Sequence, residues 1–459
     1  MKDRKRLYLI LFIVAAVSFF FFRFFNLDKR ILFDWDQETL SFQLKKILVE
    51  HRPILIGHRA TDVTGFYFGP YFEYLFVPFY FFSRLHPIGL LPFIIVINAV
   101  LFMVSFYVIK KLFNRDISLV FLIFWALNPL LIVYDITVWA PILIPVGIML
   151  TWFILWRLYN KPSYLNFLSL GMVLGFFSQI HSLFFFSDLF AAVFIIVAFV
   201  LIKNFKQQIF PKLMTLGGAF IIFLAPLVVF DLRHQFLNSK LFLGYFANRV
   251  QGTPHVYDSL QVFSNFVKPL IFSNNLFLGG LFYLAIMVIL IYLVKTKKKF
   301  YKIFYLTSLI VWVITALVYF RYTRRPSEYY FLYLYPIIVI ALLDFFYKLK
   351  KQLLIILCFI FFVFNFKDLT AVTNSYPRGL SYKDKTIKIL KENMNGRPYN
   401  LAYGIPWYLE TGYSYLLDYY GMKPTGKPTD PMVIIRMPAK KGDIMVNKVG
   451  ISIPKELRK

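Results

Sequence analysis

The sequence predicts an all-α polytopic membrane protein that carries a small α/β domain at its C-terminal end. Of the 459 residues, 59% are hydrophobic and 20% aromatic, with a mean hydropathy of +0.64. That exceeds the apolar share of a soluble domain, and the apolar residues gather into runs of spanning length, about 20 residues each. Lysine and arginine cluster at the ends of those runs: Lys2, Arg4, Lys5 and Arg6; Lys110, Lys111 and Arg115; Lys295, Lys297, Lys298 and Lys299; Lys348, Lys350 and Lys351. Near residue 368 the long apolar runs stop and short mixed segments begin.

Eleven spans can be placed, near 7–26, 88–109, 117–134, 140–156, 163–180, 183–202, 212–230, 276–294, 303–320, 329–347 and 352–366. The connections at Lys110, Arg157, Lys203, the lysine run 295–302 and Lys348 then fall on one side, which the positive-inside rule assigns to the cytoplasm. A one-span error would put half of them outside. The expected protein is therefore multi-pass in the plasma (inner) membrane, with a cytoplasmic N-terminus and an extracytoplasmic C-terminal domain. The first run, Leu7 to Phe25, follows a basic start but has no small-residue cleavage site, so it reads as a retained helix.

This topology divides the chain into a membrane domain, 1–366, with a first outer loop at 27–86, and an outer α/β domain, 367–459. Cytoplasmic loops are about ten residues or shorter, so the long polar segments 27–86, 231–275 and 367–459 all lie outside. A catalyst there meets no nucleotide sugars, ATP or reduced cofactors. Its substrate arrives on a lipid or as a periplasmic molecule. The formal net charge of +28 would suggest nucleic acid in a soluble protein, but here much of the excess sits at helix ends against an anionic leaflet, and no nucleic-acid partner is expected. The single cysteine, Cys358, lies in an apolar run, which excludes disulfides and a cysteine metal site.

Within the first outer loop, Asp36 to Glu50 places Leu40, Leu44, Ile47 and Leu48 at helical spacing, as a short amphipathic helix on the membrane surface would. The segment GPYFEYLFVPFYFFSRLH, 69–86, is apolar enough to tempt a twelfth span, but counting it would invert every later connection. It is placed in the interface, where aromatic residues are favoured. In the tail, YKDKTIKILKEN reads as a helix, and YNLAYG, MVIIRM and GISIP as short strands. No internal repeat, Gly-rich phosphate loop or Rossmann fingerprint is present.

Asp34 and Asp36, in LFDWDQETL, follow the exit of the first span. A carboxylate at that boundary faces whatever cavity the bundle forms and can act as a general base or metal ligand. Asp36 equally suits the cap of the surface helix, and one residue can do both jobs. The triplet Asp34-Trp35-Asp36 also has the spacing of a weak Asp-x-Asp metal motif. All six histidines, His51, His58, His86, His181, His234 and His255, fall outside in this topology; neutral imidazoles bind metals or hydrogen-bond phosphates, and ordinary interfacial roles are the alternative. His181, in FFSQIHSLFF, sits at a tight turn between two spans and is the best placed. His58, Glu73, His181 and Tyr329 are expected on the acceptor side of the cavity.

Arg321, Arg324 and Arg325, in YFRYTRRPSEYY, run against the positive-inside rule. Guanidinium groups clamp phosphate bidentately, so an anionic lipid headgroup is one natural partner; Glu328, outer lipid or the tail domain is the other. Arg233 and His234, in VFDLRHQF, leave the seventh span at the same level and add to one cationic pocket, unless Asp231 simply pairs with Arg233. Asp188, two turns below the outer surface, is expected on the cavity floor, whereas Asp344 lies within a turn of the inner boundary.

Taken together, several strings resemble the integral-membrane GT-C glycosyltransferases of the protein O-mannosyltransferase and lipid A aminoarabinose-transferase type (glycosyltransferase family 39-like). These are the early acidic pair followed by a surface helix; LIGHRATDVTGFYFGPYFEYLFVPFY, similar to the family's LIGP…GxxxGPLYYYLLxP; NPLLIVYDITVWAPILIP, similar to sPlliyySRxxWNPsxlP; FSQIHSLFF, similar to lQxHySxl; and FDLRHQF, similar to FELRHxF. The resemblance covers roughly residues 1–350. It departs at His58, where the family has Pro, and at Asp135 and Ala140, where it has Arg and Asn.

The resemblance implies a GT-C fold and a sugar donor carried on polyprenyl phosphate, with a first-loop aspartate as catalytic carboxylate. Asp36 would orient or deprotonate an acceptor hydroxyl on a lipid, glycan or protein, and the arginines and His234 would stabilise the leaving phosphate. A single displacement inverts the anomeric centre. The resemblance leaves a requirement for Mg2+ or Mn2+ open. Two other classes share the topology: a lipid-linked glycan flippase or transporter, which usually shows inverted repeats and broken helices, and an envelope polysaccharide ligase or polymerase.

Overall fold

The computed structural model describes residues 2–60, 65–250, 263–265, 276–320, 327–374 and 379–455. In chain order the helices are α1 (Lys2–Phe24), α2 (Leu27–Arg30), α3 (Trp35–Val49), α4 (Tyr71–Phe82), α5 (Leu90–Leu112), α6 (Arg115–Ala126), α7 (Pro129–Ile136), α8 (Ile144–Asn160), α9 (Tyr164–Ser178), α10 (Phe185–Leu201), α11 (Ile209–Arg233), α12 (Leu237–Val250), α13 (Leu276–Thr296), α14 (Lys299–Phe320), α15 (Tyr335–Leu349), α16 (Leu353–Ala371), α17 (Leu380–Met394) and α18 (Tyr413–Tyr419). Each of the eleven expected spans falls on helix. Among the described residues eight helices are long and apolar enough to cross a membrane, or nine if one bent pair counts as a span.

The shortfall from eleven has local causes. The expected span 117–134 is two helices, α6 and α7, bent by 76°. The sequence Asn128-Pro129 makes the break: Pro129 cannot donate to the α6 ladder, and Asn128 Oδ1 instead accepts from Leu131 N at 3.0 Å to start a new helix. The apolar parts of α1 and α9 are shorter than the other spans, Tyr8–Phe24 and Tyr164–Ser178. α4 has 12 residues, roughly 18 Å of helix, so it is too short to cross a hydrocarbon core of about 30 Å.

One end of the bundle gathers the basic connections. Lys351 pairs with Asp116 at 2.5 Å, Lys297 with Asp344 at 2.7 Å, and Tyr301 Oη donates to Leu112 O at 2.6 Å. Asp344, expected near this boundary, is thus neutralised by Lys297 and also accepts from Tyr305 Oη at 2.6 Å. In the last turn of α1 Arg23, fully buried, donates to Asp135 Oδ2 through Nε and Nη2 at 2.9 and 2.5 Å, and Trp125 Nε1 donates to the same oxygen at 2.9 Å. That pair ties α1 to α7. α9 and α11 pack through small residues: a Cβ on Gly171 would lie 2.2 Å from Leu216 O, and one on Gly175 2.7 Å from Phe220 O.

The opposite end carries the first loop and the tail domain. The tail contains α17, α18 and a four-stranded sheet of β1 (Asn400–Gly404), β2 (Met432–Arg436), β3 (Ile444–Val446) and β4 (Val449–Ser452), in the order β1-β2-β4-β3. β1 and β2 are parallel, and the other pairs antiparallel. The expected helix and three strands are α17, β1, β2 and β4; α18 and β3 are additional.

The tail is docked on α3. Leu380 N donates to Ile31 O at 2.9 Å, Tyr415 N to Glu38 Oε1 at 2.8 Å, and Tyr415 Oη to Leu85 O at 2.8 Å. Lys45 pairs with Asp418. Gly412, at φ +87°, is required where it touches the first loop, because a Cβ there would lie 2.0 Å from Phe33 O. Asp384 receives hydrogen bonds from His86 Nε2 at 3.1 Å and Tyr420 Oη at 2.7 Å, and pairs with Lys388 at 2.7 Å.

Candidate functional site

The two first-loop carboxylates have separate environments. Asp34 is the N-cap residue of α3, and its backbone N–H donates to Gln37 Oε1 at 2.8 Å, the returning half of a capping box. Its side chain is largely buried against Lys383 of the tail, with Nζ 3.0 Å from Oδ1. Lys383 also donates to Phe33 O and Thr411 O at 2.8 and 2.6 Å. The cap expected at Asp36 is therefore at Asp34, two residues earlier, and Asp34 is engaged in holding the loop.

Asp36 is one helical step into α3 and exposed. Protein is nevertheless packed around its carboxyl. That surrounding low-dielectric material raises its carboxyl above the usual range; the His58 ring opposes the shift and the Asp34 charge adds to it. A carboxylate so raised is a stronger proton acceptor than a free aspartate.

The wall opposite is built on the segment 55–69. Glu73, on α4 and 1% exposed, accepts from His58 N at 2.8 Å and lies 3.2 Å from His58 Nδ1. Residue 57 must be glycine for this to happen: a Cβ there would sit 2.4 Å from Glu73 Oε2 and 2.5 Å from Gly69 O. The His58 ring packs against Phe68 at 5.0 Å, and the other face of the contact continues to His181, stacked on Phe68 at 5.6 Å. His181 Nδ1 accepts from Leu183 N at 3.1 Å, capping the short turn Ser182–Phe184, so the ring's remaining nitrogen carries its proton. Burial, with the nearby His58, pushes the His181 pKa down to about 3, and the ring is neutral at physiological pH.

From His181 the wall runs to Tyr329 at 6.3 Å, on to Trp139 at 5.0 Å and then to Tyr134 at 5.2 Å. Tyr134 Oη donates to Glu328 Oε1 at 2.9 Å. The circuit closes where Gln37 Nε2 donates to Val138 O at 2.5 Å, bringing α3 against the residue before Trp139. The result is a collar of Asp36, His58, Phe68, His181, Tyr329 and Trp139. Three side-chain polar atoms in or behind it are buried without a hydrogen-bond partner among the described residues: His58 Nε2, Glu73 Oε2 and Trp139 Nε1.

Of the predicted site residues, the fold brings Asp36, His58, Glu73, His181 and Tyr329 together. Asp34 is displaced from that group by its role under Lys383. Arg233 and His234 are exposed at the end of α11, one layer behind the collar: Tyr67 packs on Phe230 at 6.2 Å, and His234 stacks on Phe230 at 4.2 Å with Nδ1 2.8 Å from Phe230 O. Asp231 does not hold Arg233; its carboxylate accepts from Asn238 N at 2.7 Å and Ser239 Oγ at 2.5 Å. Arg321, Arg324 and Arg325 lie outside the described residues. Asp188 accepts from Ser178 Oγ at 2.7 Å on α9.

Sequence reading missed Gln37, Phe68, Trp139, Lys383 and Arg59, whose guanidinium lies over the Tyr67 ring at 4.6 Å. Trp139 had a signal, the VWAP string before α8. Among the described residues no three His, Cys, Asp or Glu side chains are grouped to hold a metal ion. The Asp34-Trp35-Asp36 triplet is divided, Asp34 lying under Lys383 and Asp36 facing away from it toward His58.

No protein-family model and no curated protein matches this sequence. Solved structures do. ArnT from Cupriavidus metallidurans bound to undecaprenyl phosphate superposes with a TM-score of 0.61 at 12% identity, over 97% of this chain and 98% of that one. The same protein in the apo state gives 0.55 at 12% identity, over 95% and 94%. The oligosaccharyltransferase of Archaeoglobus fulgidus, in complex with Zn and sulfate, gives 0.52 at 12% identity over 92% of this chain, which spans 62% of that one. The chain shares the fold of these structures.

Proposed function

We propose that this protein is a membrane glycosyltransferase that moves a sugar from a polyprenyl-phosphate carrier to an acceptor hydroxyl at the extracytoplasmic face, with inversion. The observation that carries the reading is Asp36: an accessible carboxylate with a raised pKa, at the mouth of an enclosed collar, in a fold shared with a structure bound to undecaprenyl phosphate. The segregation of Lys297, Lys351 and Arg115 at the far end of the bundle supports an orientation with the collar outside.

In the proposed reaction the acceptor oxygen attacks the anomeric carbon while its proton passes to the Asp36 carboxylate. The bond from the anomeric carbon to the phosphate oxygen breaks, and polyprenyl phosphate leaves with the electron pair. Proton removal by a positioned carboxylate contributes about 10²- to 10⁴-fold. Cationic side chains near the leaving phosphate stabilise the charge that develops there; Arg59, Arg233 and His234 are the candidates among the described residues, and Arg321, Arg324 and Arg325 are proposed to join them. No step is routed through a metal.

The test is to supply purified protein in liposomes with undecaprenyl-phosphate sugars of several kinds and measure free undecaprenyl phosphate. The proposal expects release that depends on acceptor. Movement of the intact lipid-linked sugar across the bilayer without its consumption would replace it with the transporter reading.

A further inference from the structure

The collar divides into a polar corner and an aromatic remainder, and that division bears on what occupies it. Asp36 and His58 stand at one corner. Phe68, His181, Tyr329 and Trp139 form the rest, with consecutive ring centroids 5.0 to 6.3 Å apart. His181 is neutral. Neither lysine nor arginine belongs to the six collar residues, while two carboxylates adjoin His58: Asp36 on the rim and Glu73 behind the ring. A phosphate placed in the collar would meet repulsion, and one placed by Arg59, Arg233 or His234 would not.

What suits the collar is a ring with one apolar face and hydroxyls around its edge. Trp139 and Tyr329 present aromatic faces against which such a ring stacks, and the buried Trp139 Nε1–H and His58 Nε2 lack hydrogen-bond partners among the described residues. A buried indole N–H left unsatisfied costs about 1 to 3 kcal/mol, so a ligand hydroxyl that accepts from it is selected.

Resting on the transferase reading above, we propose that the collar of Phe68, His181, Tyr329 and Trp139 is the subsite for the transferred sugar, and that it takes a sugar bearing no acid group. The sugar stacks on Trp139 or Tyr329 with a hydroxyl toward Trp139 Nε1, its anomeric carbon faces Asp36, and the phosphate lies outside the collar toward Arg59. A uronic acid is excluded because its carboxylate would sit beside Asp36 and Glu73.

Binding by the full-length protein in nanodiscs tests this, with undecaprenyl phosphate alone and carrying glucose, mannose, galactose, N-acetylglucosamine, arabinose or glucuronic acid. At least one neutral sugar is expected to bind about tenfold more tightly than undecaprenyl phosphate, and glucuronate no more tightly than the bare lipid. Trp139→Leu and Tyr329→Leu are expected to abolish that tenfold gain while leaving the bare lipid within twofold; Trp139→Phe, which keeps the ring and loses the N–H, is the milder variant in case either leucine form misfolds, and should lose part of the gain. Equal affinity for sugar-bearing and bare lipid, a gain that survives all three variants, or tight binding of glucuronate would overturn the subsite. Failure of wild-type protein to bind undecaprenyl phosphate at all would overturn the transferase reading and the subsite with it.

Discussion

Lys383, in the tail domain, places its Nζ 3.0 Å from Asp34 Oδ1 in the first loop, with 1% of the lysine side chain exposed. A segment 349 residues away in sequence thereby fixes the start of the helix that carries Asp36. Removing one member of a buried pair leaves the other charge uncompensated, at a cost of about 3 to 5 kcal/mol. Lys383→Met should therefore lower the melting temperature and reduce turnover together. Scanning calorimetry of the purified variant checks the first effect, and an unchanged transition would show that the tail does not brace the loop.

Asp34 and Asp36 should separate when each is changed alone. Asp34→Ala removes the N-cap and the lysine partner, so its main effect is on stability. Asp36→Asn keeps size and removes a carboxylate whose charged form the surrounding protein disfavours, so it should not lower the melting temperature. Equal thermal losses in both variants would contradict the division of roles.

The acid limb of the pH–rate profile should lie above the ordinary aspartate range. Asp36 works deprotonated, its pKa is raised by its enclosure, and activity is therefore lost at a higher pH than a free aspartate would allow as the medium is acidified. A profile that falls only in the normal carboxylate range would place the proton acceptor elsewhere.

His181 makes a signed contribution to stability. Its folded pKa, about 3, lies below the unfolded value of about 6.5, so the unfolded chain binds the extra proton first. The stabilisation is complete above the unfolded pKa and is lost as pH falls from there toward the folded value. His181→Gln should flatten the decline in melting temperature across that window. Asp384 acts at lower pH: burial would raise it, but hydrogen bonds from His86, Lys388 and Tyr420 hold it down at about 2, so its contribution to tail docking is present above about pH 4 and disappears as pH falls toward 2.

Gly57 and Gly69 admit a steric test. A Cβ at Gly57 would meet Glu73 Oε2 at 2.4 Å, and one at Gly69 would meet Gln179 Oε1 at 1.9 Å. Gly57→Ala is expected to displace Glu73 and with it His58, lowering turnover by tenfold or more, on the order of what a misplacement of about 1 Å costs. Wild-type turnover in Gly57→Ala would mean that the His58–Glu73 arrangement does not matter to the reaction.

Much of this was legible in the sequence because membranes impose simple rules. Hydropathy placed the helices while overcounting those long enough to span, and the lysine runs put the basic connections on one side, where Lys351 meets Asp116 and Lys297 meets Asp344. The bend at Asn128-Pro129 was written in the same residues that stretched the apolar run across it. The cap at Asp34 rather than Asp36 turned on Gln37 at the third helical position. The collar was only half legible: Asp36, His58, Glu73, His181 and Tyr329 carry polar chemistry that stands out, whereas Phe68 and Trp139 are two aromatics among many. Lys383 and the Arg23–Asp135 pair join elements far apart in sequence, and local spacing carries no signal for such contacts.

The central claim is that Asp36 takes the acceptor's proton as the sugar leaves its lipid phosphate, and the direct measurement is turnover of Asp36→Asn and Asp36→Glu with undecaprenyl-phosphate sugars in liposomes. The account predicts that Asn reduces release of undecaprenyl phosphate by at least about 10²-fold at undiminished thermal stability and unchanged donor binding, and that Glu retains part of the rate. Turnover by the Asn variant at the wild-type rate would contradict it.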